Sequence, residues 1–139
     1  MIVADTGAVI ALIDADDRHH QTLRALFTED PDAWVLPWAI LPEVDYLLMT
    51  HVSVKAEAAF LADLAAGVYR VEWGEEADVE RAHELCTRHR ALRLGLVDGA
   101  VVAVAERLRA TAIATLDVRH FGVLAIPGGP KLLPRDLGR

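Results

Sequence analysis

Four acidic residues hold similar positions relative to the predicted secondary structure. Asp5 and Asp117 each follow a short apolar run, just past the end of a predicted strand. Glu43 and Asp98 each lie close to the start of a predicted helix. Carboxylate oxygens bind hard cations such as Mg²⁺ and Mn²⁺, and these ions activate water and stabilise in-line displacement at phosphorus. If the four side chains meet, they predict metal-assisted cleavage of a phosphodiester bond.

The acids can meet only if the fold brings these strand ends and helix starts to one edge. Apolar or alternating runs predict strands at residues 2–4, 34–36, 69–73, 112–114 and 123–126. Helical periodicity predicts a first helix capped by Thr6, and further helices at 18–28, from 37 or 42 onward, 54–66, 75–92, 97–109 and 118–121. Strands that alternate with helices predict a single α/β domain over residues 1–139 with a mainly parallel sheet.

In a parallel sheet, ligands gather beyond the carboxyl ends of the strands, and helices begin on that edge. The four acids are therefore expected to converge on one rim of the sheet. Clustered carboxylates repel and raise each other's pKa values, which a stable fold tolerates when cations lie among them.

Each acid also has a simpler interpretation. Asp5 and Asp98 could be helix caps, Asp117 could form a turn, and a glutamate early in a helix, such as Glu43, is common. The joint placement of all four favours a site. The triplet that begins at Asp5, Asp-Thr-Gly, is also found in aspartic proteases, but those proteins are all-β, and here the triplet leads from a strand into a helix.

The composition and net charge argue against some classes of function. The 139-residue chain has a formal net charge of −7, which argues against a simple nucleic-acid coat but not against an enzyme that holds cations over acids. Its only lysines are Lys55 and Lys131. The many arginines suit phosphate binding, and they equally suit GC-rich codon usage with solvated faces. His19 and His20 resemble a metal pair, but adjacent helical residues point about 100° apart, which favours surface histidines.

The sequence has few features that indicate the cellular compartment of the protein. Cys86 is the only cysteine, so no internal disulfide can form. The first residues lack a basic leader, and the apolar runs are too short to span a bilayer. We therefore expect a soluble cytoplasmic protein.

Four stretches in order carry a family resemblance: IVADTGAVIAL, ILPEVDYLL, LGLVDGAVVAVAERL and IATLDVRHFG. With them, the chain resembles the PIN-domain ribonucleases, specifically the VapC-type toxins of bacterial toxin–antitoxin pairs. The resemblance implies a three-layer α/β/α fold and a metal-dependent endoribonuclease. Gly99 departs from the family pattern, because alanine is commoner there. We expect that departure to matter little.

The resemblance also implies roles for individual residues. It makes Asp5, Glu43, Asp98 and Asp117 catalytic ligands of Mg²⁺ or Mn²⁺. Thr115 would orient the last acid or the water. Thr6 could support Asp5 in the same way, although it also fits a helix cap. Arg119 and His120 could touch the RNA backbone or belong to a solvated turn.

The resemblance further implies a homodimer and a small VapB-type antitoxin that inhibits the toxin. Three rivals remain open. An aspartate-nucleophile phosphatase usually has a second aspartate where this chain has Gly7. A non-catalytic PIN-like module would lose its acids, which this chain keeps. An RNA-processing PIN nuclease would share the chemistry without a toxin role.

Overall fold

The computed structural model describes residues 1–124 and 128–139. Within these residues the sheet has five strands: β1 (Ile2–Ala4), β2 (Trp34–Pro37), β3 (Val71–Glu72), β4 (Ala112–Ala114) and β5 (Lys131–Leu133). Their order is β3-β2-β1-β4-β5, and every neighbouring pair is parallel. The predicted α/β class with a parallel sheet is confirmed.

Seven α-helices lie in the described residues: α1 (Thr6–Ile13), α2 (His20–Glu29), α3 (Leu41–Leu47), α4 (Val54–Ala65), α5 (Glu76–Arg88), α6 (Leu96–Arg107) and α7 (Val118–Leu124). Short 3-10 helices occupy Pro31–Ala33, Trp38–Ile40 and Arg90–Leu92, and a π-helix spans Leu48–Val52. The helix predicted at 75–92 ends at Arg88, and Arg93 turns the chain in a left-handed conformation (φ 53°). None of these helices is both long and apolar enough to cross a membrane.

The predicted strand at 123–126 is wrong where the structure describes it. Val123 and Leu124 are the last residues of α7, and Ala125 and Ile126 lie outside the described residues. A short apolar run fits a buried strand or a helix end equally well, so periodicity could not decide between them. The fifth strand is Lys131–Leu133 instead, paired in parallel with β4.

The strand order creates a crevice at the carboxyl edge. β1 lies between β2 and β4, so the chain crosses from one side of β1 to the other, and ligands bind at such a switch point. Backbone hydrogen bonds continue past the strands there: Asp5 N donates to Ala114 O at 2.8 Å, and Thr115 N donates to Leu133 O at 2.9 Å. The residues that follow β1 and β4 are thereby held side by side.

Helix α6 carries Asp98 and is positioned by the core. It lies against β1 and β2 through fully buried side chains such as Val101 and Val104. On its other side it packs on α5, where Gly99 lies so close to Ala82 that a Cβ at position 99 would be 2.8 Å from the Ala82 Cβ. Gly99, which the sequence interpretation treated as minor, is therefore a point of close helix contact.

An ion cluster fixes the start of α5 against α6. Arg107 donates to Asp78 at 2.8 and 2.9 Å and to Glu72 at 2.9 Å. The hydrogen bonds from Arg107 to Asp78 hold the pKa of Asp78 below its usual value, against the opposing effect of its burial. Asp78 also accepts from the backbone N–H of Glu75, which completes a capping box and explains why the helix begins at Glu76.

Candidate active site

Asp5 lies where β1 gives way to α1, and both of its carboxylate oxygens accept hydrogen bonds. Oδ1 accepts from Thr6 N at 2.8 Å, and Oδ2 accepts from Thr115 Oγ1 at 2.9 Å. Asp5 is thus the N-cap of α1, and the predicted cap at Thr6 is wrong: Thr6 is the first helical residue. Either residue could accept the capping bond, so the sequence did not distinguish them. In the described residues, the buried Thr6 Oγ1 has no hydrogen-bond partner.

The carboxyl group of Asp5 is in an environment that disfavours its charge. Burial raises the pKa of Asp5 from 3.8 to about 6, against the hydrogen bonds from Thr6 N and Thr115 that lower it. The negative charges of Asp98 and Glu43 raise it further. Asp5 is only 7% exposed, so the ionised form is costly unless a cation compensates it.

Thr115 connects the two central strand ends. Its side chain is fully buried, and its hydroxyl donates to Asp5 and accepts from Asp117 N at 3.0 Å. One hydroxyl therefore fixes the Asp5 carboxylate and the backbone of the loop that carries Asp117. The expected positioning role of Thr115 remains a prediction, and this geometry directs it toward Asp5.

Asp98, Asp117 and His120 form a second group of donors. Asp98 is in the first turn of α6, and Asp117 precedes α7, where its Oδ1 accepts from His120 N at 3.1 Å. His120 Nδ1 lies 2.9 Å from Asp117 Oδ2 and 3.5 Å from Asp98 Oδ2, without hydrogen-bond geometry. One donor atom from each residue lies within 4.8 Å of the others. The contact is attractive when His120 is protonated, and the same arrangement suits a shared cation.

The position of Asp98 also disfavours its ionised form. Burial raises its pKa, and the charges of Asp117 and Glu43 raise it further, while His120 and a backbone hydrogen bond from Gly95 act in the opposite direction. The two most enclosed acids of the group, Asp5 and Asp98, are thus both less acidic than usual. A divalent cation would restore their ionised forms.

All four predicted acids line one open cleft of about 500 Å³. Its described lining is Asp5, Thr6, Gly7, Glu43, Leu47, Asp98, Leu116 and Asp117. Glu43 reaches it from the first turn of α3, just after Pro42, and its side chain is exposed. Thr115 lies behind Asp5, and Arg119 is exposed on α7. The predicted RNA contacts of Arg119 and His120 remain predictions.

The donor set fits a hard divalent cation. It offers four carboxylates and one imidazole nitrogen, and within residues 1–124 and 128–139 none of the four acids is paired with an arginine or lysine. Carboxylates favour Mg²⁺ and Mn²⁺. Sequence reasoning missed the contact of His120 with the acids. Its spacing of three from Asp117 at a helix start was the available signal.

Comparisons with known proteins agree on one family. The family model for the PIN domain matches residues 2–125. The chain is 36% identical over 128 residues to ribonuclease VapC26 of Mycobacterium tuberculosis (strain ATCC 25618 / H37Rv), a match that covers 92% of this chain and 95% of the relative.

Two solved structures illustrate the similarity of fold. The M. tuberculosis toxin VapC20, described as cleaving the sarcin-ricin loop, superposes with a TM-score of 0.79 at 25% identity, over 94% of this chain and 100% of that one. DNA-bound VapBC from Salmonella typhimurium gives a TM-score of 0.69 at 17% identity, over 94% and 95% of the two chains. At that lower identity, the likeness concerns the fold alone.

Proposed function

Because the chain belongs to the PIN-domain family, and within it to the VapC-type ribonucleases, we propose that it is a divalent-metal-dependent endoribonuclease that acts as the toxin of a toxin–antitoxin pair. The family predicted from the sequence is confirmed. The proposal adds that Mg²⁺ or Mn²⁺ is the cofactor and that Asp5, Glu43, Asp98 and Asp117 hold it.

One observation carries this proposal: the four carboxylates line a single cleft and have no arginine or lysine partner among the described residues. A structural cluster of this kind would be expected to contain compensating cationic side chains, as the acids around Arg107 do. His120, which lies beside Asp98 and Asp117, could supply part of that charge when it is protonated. A divalent cation supplies the rest.

The four acids would have different roles in holding the cation. Asp5 presents a carboxylate that is oriented by hydrogen bonds from Thr6 N and Thr115. Asp98 and Asp117 would hold the cation from the ends of two helices, and the exposed Glu43 would close the set from α3. When bound, the cation lowers the pKa of water and offsets charge on a scissile phosphate. The low exposure of Asp5 excludes water from its inner side and strengthens these interactions.

The partners also belong to the proposal. VapC26 is named a ribonuclease, and the Salmonella structure is a VapBC complex, which supports RNA as the substrate class and a small antitoxin as inhibitor. Large apolar side chains are exposed on α3, the π-helix and α4: Tyr46 (64%), Met49 (46%) and Val54 (67%). Such a group of side chains suits a protein interface, either with the antitoxin or in a homodimer. A cytoplasmic location remains a prediction.

Cleavage of an RNA panel tests the proposed activity. We expect the wild-type protein to cut RNA in Mg²⁺ or Mn²⁺ and to lose the activity in chelator. We expect Asp98→Asn to lower the rate at least about 100-fold, because it removes a ligand charge. Asp16→Asn is the matched control, since Asp16 is exposed and lies outside the cleft lining.

Three results would oppose the proposal. Cleavage that persists without divalent ions would contradict the metal dependence, and full activity of Asp98→Asn would contradict the predicted active site. Release of inorganic phosphate from a monoester, without RNA cleavage, would favour the phosphatase alternative.

A further inference from the structure

A second cleft adjoins the acidic one and shares a wall with it. This basic groove, of about 480 Å³, is lined by Arg18, His19, Thr22, Thr115, Leu116, Val118, Pro134, Arg135 and Leu137. Leu116 lines both clefts, and Thr115, which reaches the groove, donates its hydroxyl hydrogen bond to Asp5. A polymer bound over the acids could therefore extend past Leu116 into the groove.

The charge of the groove is opposite to that of the acidic cleft. Two arginines and a histidine contribute to it, and no acidic residue is among its lining residues in the described parts of the chain. A third cleft of similar size has Arg109 and Lys131, but it also has Glu106. Lys131 is the first residue of β5, so that cleft lies at the amino edge of the parallel sheet, away from the acids.

Arg18 is the cation most available to a ligand. Its side chain is exposed, and its Nε donates to His19 Nε2 at 3.1 Å. The arginine ion pairs in residues 1–124 and 128–139 involve positions 81, 107, 135 and 139, so Arg18 has no carboxylate partner there. The loop beneath it is fixed, because His19 N donates to Asp17 Oδ1 at 2.8 Å. The guanidinium of Arg18 is therefore presented by an ordered turn.

Arg135 faces the groove from the segment after β5. Its Nε and Nη2 donate to the Asp136 carboxylate at 2.8 and 2.9 Å, which fixes the guanidinium plane. Asp136 also accepts from Leu132 N at 2.8 Å, so this pair is anchored to the strand. The remaining donors of Arg135 can contact a ligand, although its charge is partly compensated by Asp136.

The amino end of α2 adds a weaker favourable field. The helix runs ten residues from His20, and His19 at its N-cap makes no side-chain capping hydrogen bond. Both His19 and Thr22, in the first turn, line the groove. The partial positive charge of a helix N-terminus favours anions, and here it acts together with the two arginines.

We propose that the basic groove binds the RNA backbone adjacent to the scissile phosphate, with Arg18 as its principal phosphate contact and Arg135 as a second. This inference rests on the proposed ribonuclease function. The acids of the active site repel phosphates that are not directly over a cation, so a substrate strand needs neutralising contacts beside them. Arginine provides a planar set of donors that matches a phosphate, and the groove presents two of them.

RNA binding tests the groove separately from cleavage. The background is Asp98→Asn, which is expected not to cut, and the probe is a short single-stranded RNA of mixed sequence. Adding Arg18→Ala is expected to reduce the slope of log affinity against log salt by about 0.7, the value for one phosphate contact on a single strand. Extrapolated from 1 M salt, that slope corresponds to about fivefold weaker binding at 0.1 M. Arg135→Ala is expected to weaken binding less.

Arg24→Ala is the matched control, because Arg24 is an exposed arginine on α2, the helix that follows Arg18, and is outside the groove lining. We expect it to bind RNA like the background protein. Unchanged affinity and salt slope in both Arg18→Ala and Arg135→Ala would overturn the inference. So would an equal loss in Arg24→Ala, or a loss of antitoxin binding by the groove variants with RNA binding intact. Because cleavage by the wild-type protein is scored separately, a failure of the proposed activity remains distinguishable.

Discussion

Replacing Asp5 with asparagine is expected to abolish RNA cleavage and, at the same time, to stabilise the metal-free protein. The loss of activity should be at least about 100-fold, because the variant removes a proposed metal ligand. The gain in stability follows from burial. Asparagine keeps one oxygen to accept the Thr6 N–H, and its amide NH2 can donate to the Thr115 hydroxyl in place of the bond that Asp5 Oδ2 accepts, but it carries no charge to desolvate. A residue whose role was purely structural would lose stability together with activity.

The stability gain should depend on pH in a defined direction. The folded-state pKa of Asp5 is about 6, above the usual 3.8, so between these values the folded protein binds more protons than the unfolded chain. The wild-type protein therefore loses stability as pH rises through this range, by about 3 kcal/mol for a difference of about two pH units. The asparagine variant lacks that loss.

Denaturant unfolding in chelator measures this difference. The free energies of unfolding of the wild type and Asp5→Asn should be close near pH 4, and the variant should be more stable by about 2–3 kcal/mol near pH 7.5. Asp16→Asn, on an exposed acid, should show no such divergence. A variant that is less stable than the wild type at every pH would contradict the claim that the buried charge of Asp5 destabilises the metal-free protein.

Replacing Gly99 with alanine is expected to destabilise the protein by about 1–3 kcal/mol, despite the higher helix propensity of alanine. The new Cβ would lie 2.8 Å from the Ala82 Cβ, 3.0 Å from its Cα and 3.2 Å from its carbonyl oxygen. Two of these contacts are with backbone, so the helices α5 and α6 must move apart. Because Asp98 is the preceding residue, cleavage should also fall.

Thermal unfolding measures the cost, with about 4 °C expected for each kcal/mol. Gly95→Ala is the control: an added Cβ there meets nothing within 4 Å, so we expect only the smaller cost of alanine as the N-cap of the same helix. Combining Gly99→Ala with Ala82→Gly should recover part of the loss by removing the Cβ–Cβ clash. A Gly99→Ala protein as stable as the wild type would contradict the close packing of α5 on α6.

The sequence predicted those parts of the site that depend on local pattern. A short apolar strand followed by an acid is recognisable at Asp5, and the alternation of strands and helices was sufficient to place Asp117 on the same edge. Asp98 and Glu43 followed from helix starts. The structure places all four beside one cleft.

Features that depend on contacts between distant segments were not predictable in this way. Gly99 packs closely against Ala82 of helix α5, and no local pattern in the sequence reveals such a partner. The basic groove joins Arg18, in the turn before α2, to Arg135 after β5, a proximity that exists only in the folded chain. The strand predicted at 123–126 was wrong for a different reason: a short apolar run is compatible with either a buried strand or the end of a helix.

Binding of Mn²⁺ tests most directly whether the acidic cleft is a metal site that cuts RNA. Titration followed by electron paramagnetic resonance of free Mn²⁺ should show saturable binding to the wild type near pH 7.5, and the cleavage rate should rise along the same saturation curve. Asp98→Asn should bind at least about tenfold more weakly, and Asp16→Asn should bind normally. Equal Mn²⁺ affinity in all three proteins, or cleavage that saturates independently of Mn²⁺ binding, would contradict the metal site.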